Sequence, residues 1–206
     1  MPEVSVVIPA RDAAATLPRT LDALARQSHT DFEVLVVDDG SADGTAEIAA
    51  ASDVVGAVVL LGEGVGGVAK VAGRANGGGP PATTSTVATE RTGPGAARNA
   101  GARVATGRVL AFTDGDCFPR PDWLEQGLEA LAGADLVQGR VTPERAPGPY
   151  DRTVYVEDFA GLFQTANLLI THELFDRLGG FEPGWTPGGG KELGEDAWLG
   201  WRAKRL

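Results

Sequence analysis

The segment VLAFTDGDC, residues 109 to 117, carries apolar side chains directly into two aspartates, Asp114 and Asp116, separated by one glycine. Carboxylates held that close repel one another unless a positive charge lies between them. Two further acidic pairs stand at comparable places, Asp38-Asp39 in VLVVDDGS and Glu195-Asp196 in LGEDAW. Each pair has a plain structural reading, because Asp-Gly forms turns and an acid in a first helical turn complements the helix dipole. Each also has a chemical one. Oxygen-only donors suit Mg²⁺ or Mn²⁺, which are held by one or two carboxylates while phosphate oxygens fill other positions. Asp114-Gly115-Asp116 therefore reads as a platform for a divalent cation and a phosphate-bearing ligand, with Gly115 leaving room for close backbone approach.

The elements that must position these groups follow from the hydrophobic pattern. VSVVI (4–8), EVLVV (33–37) and VVGAVVLL (54–61) are β-branched, apolar runs of strand length. Between them lie two helices: one with Leu17, Leu21 and Leu24 on a single face, the other, DGTAEIAAA, with Ser41 or Asp43 as N-cap. Alternating strands and helices imply βαβ units and a mainly parallel sheet flanked by helices. Right-handed crossovers gather the strand ends along one edge, and ligands in such sheets bind there. Asp38-Asp39 and Asp114-Asp116 both belong to that edge.

The rhythm breaks over 62–95, a stretch rich in Gly, Ala and Thr with no sustained period. It reads as a long mobile loop, with a β-hairpin in its VAK and TSTVAT portions as the structured alternative. Beyond it the pattern gives a helix in AARNAGARVATG, the strand VLAFT, a helix in PDWLEQGLEALAGA, and the strand DLVQGRV. A short strand NLLI, a helix THELFDRL, a Gly-rich loop GWTPGGGKELG and a closing helix EDAWLGWRAKRL complete the chain.

Composition bounds the function. The 206 residues fit one domain with a sizeable core, and 43% hydrophobic content is ordinary for a globular protein. A net charge of −10, from 28 acids and 18 bases, argues against nucleic acid as a partner but not against a nucleotide. Cys117 is the single cysteine, so no internal disulfide forms and a reducing compartment fits. There is no run of about 18 apolar residues to span a membrane, and MPEVSVVIPA lacks the basic start of a signal peptide. The expected location is cytoplasmic, free or peripheral at a membrane.

Taken in order, VSVVIPARD, VLVVDDGSADGT, GPGAARNAGARVATGRVLAFTDGDC, LGGFEPGW and GEDAWLGWR resemble the family 2 glycosyltransferases of the GT-A fold. A lone D-x-D is weak evidence, whereas five motifs in sequence are specific, and they cover nearly all of the chain outside 62–95. The resemblance implies a single GT-A domain over 1–206. Residues 1–120 form its nucleotide-sugar half and 121–206 its acceptor half. It also implies transfer of a glycosyl group from a nucleotide-diphosphate sugar to an acceptor hydroxyl, with inversion and with Mn²⁺ or Mg²⁺ as cofactor.

The implied roles are specific to residues. Pro9, Ala10 and Arg11 lie where the family holds the nucleobase, and Asp39, with Asp38 beside it, where it hydrogen-bonds that base. Arg98 and Asn99 stand beside the nucleotide. Asp114 faces the ribose and joins Asp116 as a metal ligand. Asp196 matches the catalytic base, with Glu195 and Trp185 on the acceptor side. A helix N-terminus favours the ionised form of Asp196, which makes it a dependable carboxylate but a weak base. Relatives often continue with another strand and a metal-ligating histidine, so the sequence ending at Leu206 reads as a C-terminally truncated or minimal acceptor half.

Several residues carry blander expectations. Trp185 reads equally as a sugar-stacking platform or a loop-packing residue, and at least one of Trp198 and Trp201 as core. His172 reads as a surface or capping residue, and Cys117, without a histidine nearby, as packing. Two rival functions stay open: a degenerate domain of this family that binds nucleotide or a partner without turnover, and a haloacid-dehalogenase-type phosphohydrolase, which also places D-x-D after a strand. The second fits less well, because Cys117 follows where Thr or Val is usual.

Overall fold

The computed structural model describes residues 1–61, 67–74, 81–82, 86–89, 93–144, 146, 155–159, 161–182 and 194–206 (67–74, 81–82 and 86–89 as backbone). At its centre lie four parallel strands, β1 (Val4–Ala10), β2 (Phe32–Asp38), β3 (Ala57–Leu60) and β7 (Val109–Phe112), with β1 between β2 and β7. Antiparallel strands extend both sides. β4 (Gly67–Arg74) pairs with β3, and both β5 (Pro81–Ala82) and β6 (Thr86–Thr89) pair with β4. On the far side β9 (Leu168–Thr171) pairs with β7, and β8 (Leu136–Gln138) closes the edge against β9.

The four central strands are buried on both faces, which is why they read as continuous apolar runs. Successive side chains of β1 go to opposite faces. Val7 joins Leu35, Val37, Leu110 and Phe112 in one cluster, completed by residues of α3 (Pro94–Val104), α5 (His172–Leu178) and α6 (Glu195–Ala203). Val6 and Ile8 join Val34, Val36 and Ala111 in the other, against α1 (Leu17–Leu24), α2 (Thr45–Ala51) and α4 (Trp123–Leu131). Phe112 anchors the first layer, its ring 5.2 Å from that of Phe181 and 5.6 Å from that of Phe175. The leucines at 17, 21 and 24 form the buried face of α1, as their spacing predicts, and Pro18 sits in its first turn.

Helix α3 lies unusually close to the sheet. A Cβ on Gly101 would stand 2.4 Å from Val7 Cγ1 and 3.0 Å from Val37 Cγ2. Alanine is the better helix former, but here it would overpack a rigid layer, so Gly101→Ala is expected to destabilise the fold by about 1–3 kcal/mol. Urea unfolding measures this directly: an unchanged midpoint would mean that helix and sheet can separate freely.

Three expectations change. The N-cap position of α2 is held not by Ser41 or Asp43 but by Gly44, in a left-handed conformation (φ 86°); Asp43 still accepts from Thr45 N–H at 3.2 Å in the first turn, and both residues serve the neighbouring loop described below. The stretch 62–95 is not one long loop, since β4 and β6 form an antiparallel ladder from Gly67↔Thr89 to Lys70↔Thr86, where the VAK and TSTVAT segments suggested a hairpin. The closing helix also differs in its aromatic pattern. Leu199 supplies its buried core contact, Trp198 is half-buried and donates to Glu182 at 2.6 Å, and Trp201 is exposed. Among the described residues, no helix is long and apolar enough to cross a membrane.

Candidate functional site

The chain leaves β1 for β2 and β3 on one side, then returns to place β7 on the other. The crevice at this reversal is where open α/β sheets bind ligands. A cleft of about 540 Å³ lies there, walled by Pro9, Ala10 and Arg11 at the end of β1 and by Asp114, Gly115 and Asp116 after β7. Asp39 and Arg98 complete it.

Its first wall is a laced pair of loops. Asp12 adopts φ 50°, a left-handed conformation that aspartate tolerates better than most residues. Its carboxylate accepts from Ala42 N–H at 2.9 Å, while its own N–H donates to Ser41 Oγ at 2.9 Å. Ala13 N–H donates to Thr45 Oγ1 at 2.8 Å, and Ala14 N–H to Asp43 Oδ2 at 2.9 Å. The hydroxyls and carboxylates of DDGSADGT thus hold the PARD turn in place. Opposite, Thr20 of α1 donates to Gly115 O at 3.0 Å, and Cys117 N–H returns to Asp114 O at 3.1 Å, closing the D-G-D turn. Added to Gly115, a Cβ would meet nothing nearer than Ala13 Cβ at 3.5 Å, so packing within the protein does not require glycine there.

The acidic residues divide sharply by environment. Asp39 is buried; one carboxylate oxygen accepts from Gly93 N–H at 2.9 Å and lies 3.7 Å from Arg11, while the other has no hydrogen-bond partner. Desolvation pushes its pKa up, against the Gly93 N–H and the Arg11 charge. Asp38 does not line the cleft: it is buried behind, accepting from Ser41 N–H at 3.2 Å, which fixes the turn. Asp114 accepts from Arg98 Nη2 at 2.8 Å, so the positive partner its position demands is first of all a guanidinium. Asp116 is exposed.

Asp114, Asp116 and Cys117 bring ligand atoms within 4.8 Å of one another. Burial and the two carboxylates push the Cys117 thiol up to about 12, and a soft sulfur is a poor match for hard Mn²⁺ or Mg²⁺ in any case. What remains is a pair of hard carboxylates, one exposed and one with an oxygen not held by Arg98, a donor set that fits Mn²⁺ or Mg²⁺.

Arg98 itself is buried, and its other terminal nitrogen donates to Glu195 Oε1 at 3.2 Å. Glu195 and Asp196 open α6, and the pair splits: Glu195 is buried on Arg98, whereas Asp196 is half-buried and accepts from Ala197 N–H at 2.7 Å. Burial is the largest influence on Asp196 and raises its pKa, with Glu195 adding to the rise and Arg98 and the Ala197 N–H opposing it. The helix N-terminus alone predicts a weak base; burial works in the opposite direction, and the shift is upward.

Asn99 also departs from its expected place beside the nucleotide. It is not part of the cleft wall; its amide donates to Phe181 O and accepts from Phe181 N–H, both at 2.8 Å, clamping the LGGFE segment to α3. His172 opens α5 behind the Thr171 cap, its Nδ1 2.9 Å from Gly107 O, in keeping with a capping region. Trp185 and most of the Gly-rich loop around it lie outside the described residues.

The sheet with this reversal thus carries an acidic platform after β7 and an acidic helix start that meets it through Arg98. The profile of Glycosyl transferase family 2 matches residues 5–66 and 83–182, and the chain belongs to that family. The unmatched interval contains β4 and β5. AglE, a glycosyltransferase of Haloferax volcanii, is 36% identical over 146 residues, covering 68% of this chain and 40% of that protein. Validoxylamine A glucosyltransferase of Streptomyces hygroscopicus subsp. jinggangensis is 29% identical over 245 aligned residues, covering 98% and 51%.

Among solved structures, S. aureus TarS 1-349 superposes with a TM-score of 0.64 at 19% identity, over 98% of this chain and 55% of that one. The mannosyltransferase PcManGT from Pyrobaculum calidifontis, in complex with GDP-Man and Mn²⁺, gives 0.61 at 24%, over 96% and 50%. The fold is GT-A. The chain spans about half the length of these proteins or less.

Proposed function

We propose that this domain transfers a glycosyl group from a nucleotide-diphosphate sugar to an acceptor hydroxyl, with inversion, using a divalent cation held by Asp114 and Asp116. The observation that carries the proposal is the convergence of Arg11, Asp39, Asp114 and Asp116 on one cleft at the sheet reversal. Pro9, Ala10 and Arg11 would wall the base. The unpartnered buried oxygen of Asp39 suits a base N–H, because a buried acceptor left unmade carries a desolvation penalty that such a ligand removes. Asp114 faces the ribose and shares the cation with Asp116, while Gly115 leaves the diphosphate an open approach. Bound there, the cation supplies charge stabilisation of the departing diphosphate.

The acceptor side belongs to α6. As the acceptor oxygen bonds to the anomeric carbon, the bond to the diphosphate breaks and the hydroxyl proton passes to Asp196. A carboxylate with a raised pKa is better matched to that task than an ordinary aspartate. TarS has been captured with UDP-GlcNAc and PcManGT with GDP-Man and Mn²⁺, so uridine and guanosine donors with Mn²⁺ are the first to try.

Titration calorimetry with UDP, GDP and dTDP, with and without Mn²⁺, tests the reading when joined to a donor-consumption assay. One diphosphate should bind with Mn²⁺, and its sugar should be turned over. Binding with no turnover of any donor would instead mark a degenerate domain, and failure of all three diphosphates to bind would remove the donor site.

A further inference from the structure

The helix carrying Asp196 is tied down at both of its ends, besides the bond from Trp198 to Glu182 within it. At its far end Arg202 donates to Leu178 O at 2.6 Å and to Gly180 O. At its start the hold is Arg98, whose Nη1 reaches Glu195 while its Nη2 reaches Asp114. These are residues of three separate elements, α3, α6 and the turn after β7. Local packing agrees: a Cβ on Gly95, in the first turn of α3, would stand 3.3 Å from Glu195 Cγ, so the two helix starts are in close contact.

We propose that Arg98 is a positioning residue, tying the donor-side carboxylate Asp114 to the helix start that presents Asp196, and not a ligand of the diphosphate. The inference rests on the glycosyl-transfer reading above. The exposure of the Arg98 side chain is 6%, and each of its terminal nitrogens already donates one N–H to a carboxylate. Asp114, Glu195 and Arg98 together carry one net negative charge, so the guanidinium offers no surplus positive field to a diphosphate. That charge instead favours a cation on the free oxygen of Asp114. A buried ion pair is weak evidence for stability, because apolar residues of similar volume often do as well. A planar, always-charged fork that fixes two carboxylates in one orientation supplies geometry, which an apolar contact cannot. Arg98 then sets the distance between the end of β7, where the donor is bound, and the first turn of α6, where the acceptor is deprotonated.

Glu195→Gln and Arg98→Lys test this with three measurements on each variant: affinity for UDP and GDP with Mn²⁺, transfer rate at saturating substrates, and amide exchange across residues 196–199. A positioning role predicts near-native nucleotide affinity in both variants, faster exchange in that turn, and a kcat lower by about 10- to 100-fold. In the double variant the kcat loss should be well short of the product of the single losses, since both changes break one connection. A drop in nucleotide affinity with Arg98→Lys, while Glu195→Gln leaves kcat and exchange untouched, would overturn the proposal and make Arg98 a diphosphate ligand. Should Arg98→Lys fail to fold, Glu195→Gln decides alone: unchanged exchange and kcat refute it. Absence of nucleotide binding in the wild-type protein would defeat the transfer reading, and the exchange measurement would still report whether Arg98 holds the start of α6.

Discussion

Asp196→Asn is expected to lower glycosyl transfer by about 10²- to 10⁴-fold with donor affinity nearly unchanged. Asparagine keeps the size of the side chain and can still accept from Ala197 N–H, so only the proton acceptor is removed. Loss of donor binding in step with turnover would move the residue to the donor site. The pH profile adds a second, independent readout. Burial raises the Asp196 pKa above its ordinary value, and the base works only when ionised. Transfer should therefore fall as pH drops through that raised pKa, giving an acid limb above the ordinary aspartate range. A limb at or below that range would contradict the assignment, and Asp196→Asn should abolish the limb altogether.

Stability moves the other way. With the folded pKa above the unfolded one, the folded state binds the proton more tightly. The contribution of Asp196 to stability is thus greatest below the unfolded pKa and falls as pH rises through the folded pKa. At neutral pH the ionised, half-buried carboxylate is a burden, and Asp196→Asn should unfold at a temperature no lower than the wild type. Glu195→Gln should behave oppositely, because it weakens a buried partner of Arg98. A base held in a costly ionised state beside an ion pair that is costly to break is the trade between stability and activity expected of a reaction centre.

The donor side of this site was legible in the sequence because each of its residues follows a strand. Once VSVVI, EVLVV and VLAFT are read as neighbouring parallel strands, Arg11, Asp39 and Asp116 fall on one edge without further information. The acceptor side was not legible in the same way. Arg98 and Glu195 are 97 residues apart, and no local pattern announces that they meet. The direction of the Asp196 shift escaped for a related reason: the helix dipole is local, whereas burial is a tertiary fact. Asn99 shows the limit of motif matching, since its neighbour Arg98 lines the cleft while its own amide is spent on Phe181. The β4–β6 ladder was read only as an alternative because GVAKVAGR lacks the alternation of a strand buried on one face; pairing with β3 supplies the order instead.

Removing the divalent cation, or its exposed ligand, is expected to abolish most diphosphate affinity. Asp114 has Arg98 as a partner, but Asp116 faces solvent with no guanidinium on it, and a diphosphate brought to this edge meets two carboxylates. Arg98 cannot offset that repulsion, being balanced already by Asp114 and Glu195. Among the described residues lining the cleft the remaining cation is Arg11, and it lies 3.7 Å from Asp39 on the opposite wall. A divalent ion reverses the sign of the interaction and is worth several kcal/mol of charge stabilisation, so affinity for UDP or GDP should fall by about 10²-fold or more in excess EDTA. Asp116→Ala should reproduce most of that loss and remove the response to Mn²⁺. Asp116→Asn, which retains an oxygen donor without the charge, should fall between the two. Cys117→Ser should leave the Mn²⁺ response near wild type, because hard Mn²⁺ prefers the two carboxylates to a soft sulfur. Diphosphate affinity that persists in EDTA would instead show that the two aspartates meet the ligand through Arg11 and hydrogen bonds alone. In that case the acidic platform would have to bind ribose hydroxyls rather than a metal.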